Sequence, residues 1–170
     1  MPLLTAFSGL PGVGKTTVGR AFAGRIGAVY LRIDTLEASL KTSSLRIHPA
    51  GDAGYGAAAA VARDNLALGL DVVADSVNPI AVTRALWAEV AVATGAALVN
   101  VEIVCSDADE HRRRVETRRA DIPGLQLPDW EAVRSRDYVA WETDRLVLDT
   151  ARLTPEACVE RLIAETQRLR

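Results

Sequence analysis

Short apolar runs alternate with longer stretches of helical periodicity along the whole chain. Leu3 to Ser8 is an apolar run of strand length, and beyond a glycine-rich turn Val18, Ala21, Phe22 and Ile26 recur at helical spacing within Thr16 to Ile26. Ala28 to Ile33 is a second apolar run, ending at Asp34, and Asp71 to Ala74 is a third, ending at Asp75. Between them, serine, proline and glycine cluster in Lys41 to Gly54, the least regular stretch, before an alanine-rich helical segment reaching about Leu68.

Pro79 is expected to open another helix, in which Val82, Leu86 and Val90 stack at intervals of four until Gly95 ends it. Ala97 to Cys105 then reads as a strand. Ser106 with Asp109 three residues later has the spacing of a capping box, so a helix is expected to start there and carry the arginine-rich run His111 to Arg119. Pro123, Gly124 and Pro128 break it. A short helix around Asp129 to Tyr138 follows, then a last strand at Leu146 to Leu148, and a closing helix capped by Thr154 with Pro155 at its first position.

Five strand candidates separated by helices predict an α/β three-layer sandwich, a five-stranded parallel sheet with helices on both faces. In such sheets ligands lie beyond the carboxyl ends of the strands, so the residues just after each strand carry the interest. A chain of 170 residues is long enough for one full core and is expected to form a single domain. Residues 41–55 then read as a mobile loop on the substrate side and 107–141 as a lid.

Gly9-Leu10-Pro11-Gly12-Val13-Gly14-Lys15-Thr16 fits the phosphate-loop pattern GxxxxGK(S/T) in full, between an apolar strand and a helix. Glycines let successive N–H groups face inward, and the helix N-terminus adds partial positive charge, so a phosphate chain is held by backbone. Gly9, Pro11, Gly12, Val13, Gly14, Lys15, Thr16 and Thr17 are therefore the expected nucleotide contacts. Lys15 would reach the β- and γ-phosphates and Thr16 would ligate Mg²⁺. Asp75 emerges at the end of the third strand, where it can reach the metal directly or through water; with Ser76, Asn78 and Pro79 beside it, it is also suited to cap a turn. Asp34, placed alike after the second strand, would face the γ-phosphate from the acceptor side and take a hydroxyl proton, or serve as N-cap of a helix over Thr35 to Leu40. Arg114 and Arg118 fall one turn apart and would clamp the phosphates, whereas Arg112 and Glu116 have the spacing of a solvated, ion-paired face.

Composition narrows the choice. The chain is 49% apolar, 25% charged and 5% aromatic, which excludes a disordered chain. Net charge is −2, so no bulk positive field is available for nucleic acid or an anionic membrane, and any anion must be captured locally. No apolar stretch is long enough to span a bilayer, and the cytoplasm is the expected compartment. Cys105 and Cys158 have no metal-ligand spacing and read as small buried residues; His48 and His111 carry little signal, and Trp130, Tyr138 and Trp141 read as packing at the base of the lid.

The phosphate loop at the N-terminus, Ile33-Asp34-Thr35, Val73-Ala74-Asp75 and an arginine-rich helix followed by Val147-Leu148-Asp149-Thr150 together resemble the small P-loop kinases. The likeness is to the group of zeta-toxin-like, chloramphenicol-phosphotransferase-like and gluconate-kinase-like proteins, and it covers nearly the whole chain. The resemblance implies a nucleoside-kinase-like P-loop fold and an ATP- and Mg²⁺-dependent kinase acting on a hydroxyl of a small-molecule acceptor, as a monomer or homodimer. It implies that Lys15 and Thr16 bind phosphate and Mg²⁺, that Asp34 serves as base, and that Arg114 and Arg118 act from the lid. It also implies that Thr150 to Arg152 lie against adenine, so that Arg152, with Arg118 from the lid, joins the nucleotide contacts. The acceptor segment Lys41 to Tyr55 matches no subgroup.

Rival functions leave weaker marks. A GTPase switch needs an NKxD-type guanine reader, which is absent, and Asp121-Ile122-Pro123-Gly124 fits DxxG only at the wrong place, after the arginine helix. A nucleic-acid end kinase conflicts with the net charge. A toxin-type kinase acting on a nucleotide sugar, or an ATP-binding protein without kinase activity, remains an open alternative.

Overall fold

The computed structural model describes residues 1–169. Its first strand, β1 (Leu3–Ser8), is buried along its entire length, which suits only the middle of a sheet covered on both faces. Among the described residues the sheet has five strands, ordered β2-β3-β1-β4-β5 and all parallel: β2 (Val29–Arg32), β3 (Val72–Asp75), β4 (Ala97–Val104) and β5 (Leu146–Asp149). Register pairs Leu4 with Val72 on one side and with Leu98 on the other, so the carboxyl ends of β1 and β3 open at the same edge.

Alternation of side chains along these strands splits the core into two apolar layers. Phe7, Val73, Val101, Ile103 and Leu148 pack against Val18 and Phe22 of α1 (Lys15–Ile26) and Cys158 and Leu162 of α7 (Pro155–Gln167). Leu4, Ala6, Val72 and Ala74 pack against Ala58, Ala62 and Leu66 of α3 (Ala53–Ala67) and Trp87 and Val90 of α4 (Ala81–Thr94). Alanines on α3 let that helix sit close to the sheet while Trp87 fills the space beside it. Each large apolar side chain so buried contributes about 1.5–3 kcal/mol. No described helix is long and apolar enough to cross a membrane.

Several expected boundaries move, and two of the moves matter for the site. β2 stops at Arg32, and Ile33 is already the first residue of α2 (Ile33–Thr42), because Ile33 turns into the α3 layer and is buried there. Asp34 therefore lies inside the first turn of α2 and is not its N-cap. α5 (Ala108–Thr117) is capped by Asp107, whose carboxylate accepts from the Glu110 N–H at 3.0 Å; Ser106 instead donates its hydroxyl to Asp149 at 2.6 Å. This helix ends at Thr117, leaving Arg118 in extended backbone, so Arg114 and Arg118 do not share a helical face. α4 begins at Ala81, past Pro79, and α6 (Trp130–Arg134) is shorter than expected, since Asp129 caps it and the chain then leaves the helix for the sheet.

Trp130, Tyr138 and Trp141 also separate. Trp130 meets His111 of α5 edge-on at 5.1 Å. Tyr138 instead donates to Glu102 of β4 at 3.0 Å, and Trp141 stacks under the Arg84 guanidinium at 4.2 Å, so residues 138–145 are tied to the sheet and α4. The irregular stretch contracts to residues 43–52, because α2 continues through Lys41 to Thr42. Cys158 is buried as expected, whereas Cys105 is only half-buried.

Candidate nucleotide and acceptor site

The loop between β1 and α1 has a backbone that L side chains rarely adopt: Gly9, Gly12 and Gly14 have φ of 132°, 88° and 101°. A Cβ on Gly9 would run into the Ile103 carbonyl oxygen, and one on Gly12 would come within 2.6 Å of Val115 Cγ2. The curl thus depends on glycine twice over, through conformation and through contact. Pro11, Gly12, Gly14, Lys15, Thr16 and Thr17 line a cleft of about 650 Å³ at the carboxyl edge of the sheet. Gly9 and Val13 form the inner side of the loop, with Val13 buried in the core.

Lys15 is only 8% exposed, and its ammonium donates to the Leu10 carbonyl at 2.9 Å. Burial lowers it from 10.5 to about 8, an effect that the carboxylates of Asp75 and Asp34 partly offset. Thr16 Oγ1 donates to Asp75 Oδ2 at 2.7 Å, and the Tyr30 hydroxyl donates to the same oxygen at 2.5 Å. Burial beside that carboxylate pushes the Tyr30 hydroxyl far up, so it stays protonated. The first turn of α1 and the end of β3 thus bring one hydroxyl and one carboxylate together beside the phosphate loop.

The same cleft is lined by Arg32, Asp34, Glu37 and Lys41 from the end of β2 and from α2, and by Arg118 and Arg136 from the segments that follow α5 and α6. The Asp34 side chain is 47% exposed, with Arg32 Nη2 3.9 Å away. Burial raises the Glu37 carboxyl despite Lys41 one turn on. The loop after α5 is tied down by Asp121, which accepts from Arg20 at 2.9 Å and Arg32 at 2.8 Å and is held below the usual carboxylate range by the Arg32 hydrogen bonds. At the opposite end, Arg114 donates to Thr150 Oγ1 at 2.8 Å and to Glu110 at 2.7 Å, and the Thr150 hydroxyl bonds Val13 O at 2.8 Å. Thr150, Leu153 and Pro155 complete that wall. Arg152 does not reach it: its side chain is 80% exposed and pairs with Asp149 at 3.3 Å, turned away from the cleft.

The donor set suits MgATP. Glycine at three positions leaves a cradle that any Cβ would narrow, and the hydroxyl–carboxylate pair Thr16–Asp75 matches Mg²⁺, which is usually held by one or two protein oxygens plus phosphate. No group of three or more His, Cys, Asp or Glu poised to hold a metal exists among the described residues, so a cage made of protein alone is not present.

Residues 4–136 match the family described as AAA domain. The chain belongs to that family. This AAA domain has the P-loop NTPase fold of kinases. It is similar in structure to a candidate kinase from Chloroflexus aurantiacus (TM-score 0.77, 20% identity, 98% of this chain and 97% of that one). It is also similar to a gluconokinase from Sinorhizobium meliloti (TM-score 0.68, 21% identity, 99% and 93%). A third likeness is to the Mycobacterium tuberculosis APS kinase CysC in complex with AMPPNP and APS (TM-score 0.68, 19% identity, 98% and 98%). At these identities the likeness shows the fold. No curated protein gives a significant match.

Three residues lining the AAA domain's cleft, Arg32, Glu37 and Arg136, and Tyr30, which bonds Asp75 beside it, escaped the reading of the sequence. Glu37 had a usable signal, since it stands one helical turn after Asp34 and so shares its face. The other three had none. Tyr30 reaches Asp75 only because β2 pairs with β3, and Arg136 enters the cleft only through the path of the chain after α6.

Proposed function

We propose that this AAA domain is an ATP-dependent kinase that transfers the γ-phosphate to a hydroxyl of a small-molecule acceptor. The observation that carries the reading is the shared lining of one cleft: Lys15 and the Thr16–Asp75 pair together with the carboxylates of Asp34 and Glu37. A protein that only hydrolysed ATP would need to position a water, not a second carboxylate-lined half-site. Lys15, freed from Leu10 O, would bind the β- and γ-phosphate oxygens. Mg²⁺, when held by Thr16 and Asp75, supplies charge neutralisation across those phosphates.

In this reading the acceptor oxygen forms a bond to the γ-phosphorus, the bond from that phosphorus to the β–γ bridging oxygen breaks, and ADP leaves. The acceptor's hydroxyl proton passes to an Asp34 carboxylate oxygen. Arg118 stabilises charge on the transferred group from the lid side, and Arg114 holds α5 against the Thr150 wall. Closing the lid through Asp121 and Arg32 keeps water from the γ-phosphate. Titration calorimetry with MgATP, paired with ADP release against sugars, nucleosides, antibiotics and nucleotide sugars, tests the proposal. ATP binding with ADP release driven by one acceptor class is expected. A nucleotide-sugar acceptor would mark a toxin-like kinase, and ADP release independent of every acceptor would defeat the kinase reading.

A further inference from the structure

We infer that the acceptor is an anion: a small hydroxyl-bearing compound carrying a carboxylate, phosphate or sulfate that Arg32 and Arg136 hold, beside Arg118. The inference rests on the kinase reading and narrows its substrate class. Its basis is a local reversal of charge. The whole chain has a formal charge of −2. Yet among the described residues that line the cleft stand seven cations, Lys15, Arg32, Lys41, Arg114, Arg118, Arg119 and Arg136, against four carboxylates, Asp34, Glu37, Asp75 and Asp121. Mg²⁺ offsets much of the triphosphate's own charge, so bound MgATP leaves positive charge on the acceptor half.

The cations of that half are poorly satisfied by the protein. Arg32 bonds Asp121 through Nη1, but its Nε is buried without a partner, and so is the Nε of Arg118. Neither Arg118 nor Arg136 has a salt bridge to a described residue. Instead Arg118 lies in the field of Arg32 and Arg136 as well as of Asp34, and burial with those like charges lowers its basicity. Arg136 has no ion-pair partner among the described residues and lies with Arg118 near Arg32, whose own partners are Asp121 and Asp34; an anion there offsets the repulsion and supplies an acceptor for the orphaned Arg32 N–H.

Direction argues for the acceptor over the nucleotide. Arg32 comes from the end of β2, the edge strand two places from β1, and shares its wall with Asp34 and Glu37. Arg136 is felt at Glu37 as well as at Lys15. The resemblance to the P-loop kinases would put the nucleoside at the other end, against Arg114 and Thr150, which bond each other there. Carboxylates beside guanidiniums suit a ligand that offers both hydroxyl donors and an anionic group.

The test begins with protein saturated with Mg·AMPPNP, so that the phosphate loop is filled, and titrates inorganic sulfate against a sodium chloride control of equal ionic strength. Saturable thermal stabilisation by sulfate is expected, weakened about tenfold or more in Arg136→Gln, a larger loss than that in AMPPNP affinity. Arg136→Lys should recover part of the sulfate affinity. No saturable sulfate effect, or an unchanged one in Arg136→Gln, overturns the inference. Turnover then compares matched pairs, an aldonate with its aldose and a nucleoside 5′-phosphate with its nucleoside. Equal kcat/KM for the neutral and anionic members overturns the anionic acceptor and leaves the kinase reading standing. A sulfate site lost in Arg136→Gln, with no pair member phosphorylated, upholds the anion site and counts against the kinase reading.

Discussion

Replacing Lys15 by methionine should stabilise the ligand-free protein while weakening its hold on MgATP, and the two effects come from the same ammonium. Burial lowers that group from 10.5 to about 8, which at about 1.4 kcal/mol per pH unit is a cost to the folded state of about 3 kcal/mol at neutral pH. Methionine keeps the length and removes the charge. It also deprives Leu10 O of its 2.9 Å hydrogen bond, a loss of about 1–2 kcal/mol. The balance is a gain of about 1–2 kcal/mol, or about 3–6 °C for a chain of this size. MgATP affinity should fall about 10- to 150-fold, the worth of a charge-assisted contact. The folded-state value lies below the unfolded one, so the penalty on wild type is complete below about pH 8 and fades as pH rises toward 10.5. The gap between variant and wild type in urea unfolding should therefore be widest at pH 7 and narrow by pH 9.5. A variant less stable than wild type at pH 7, or a gap independent of pH, refutes the buried-ammonium argument. Unchanged MgATP affinity by calorimetry refutes the phosphate-loop role.

Asp34→Asn should cut kcat for the true acceptor by about 10² to 10⁴ with ATP affinity nearly intact, and should abolish the acidic limb of the pH–rate profile; retained kcat would remove Asp34 as the base. Asp75→Asn should instead raise the Mg²⁺ concentration needed for half-maximal rate, and identical Mg²⁺ dependence in the two variants would dissolve this division of labour. Gly9→Ala should destabilise by several kcal/mol in urea unfolding, since strain at φ 132° adds to collision with Ile103 O. Gly69→Ala, at φ +83° with open space around it, should lose only about 1 kcal/mol, and equal losses would mean that contact adds nothing. Tyr30→Phe removes a hydrogen bond to a carboxylate and should lower stability by about 1.5–3 kcal/mol, whereas no change would mean that Thr16 alone holds Asp75.

Local rules settled what the chain determines within one element or one turn. The phosphate loop was legible because its chemistry is backbone chemistry: glycine spacing, a following helix and Lys15 with Thr16 are contiguous, and no distant contact is needed to recognise them. The parallel sheet was legible from apolar runs separated by helices, since strands buried on both faces lose their alternation. Asp34 and Asp75 were found by the same logic, as residues that follow strands. Where the reading moved, tertiary packing had overruled a local signal. Ile33 looks like the end of a strand, but its burial against α3 starts α2 one residue before Asp34. Ser106 has capping-box spacing, yet Asp149 on the neighbouring strand takes its hydroxyl and leaves the cap to Asp107. Arg118 continues a helical pattern on paper, but the helix stops at Thr117 and the guanidinium turns into the cleft with Arg32 and Arg136. The proposed acceptor half is assembled from three segments far apart in sequence, β2 with α2, the end of α5 and the chain after α6. Its charge is a property of their convergence in space, and no pattern along the chain encodes it.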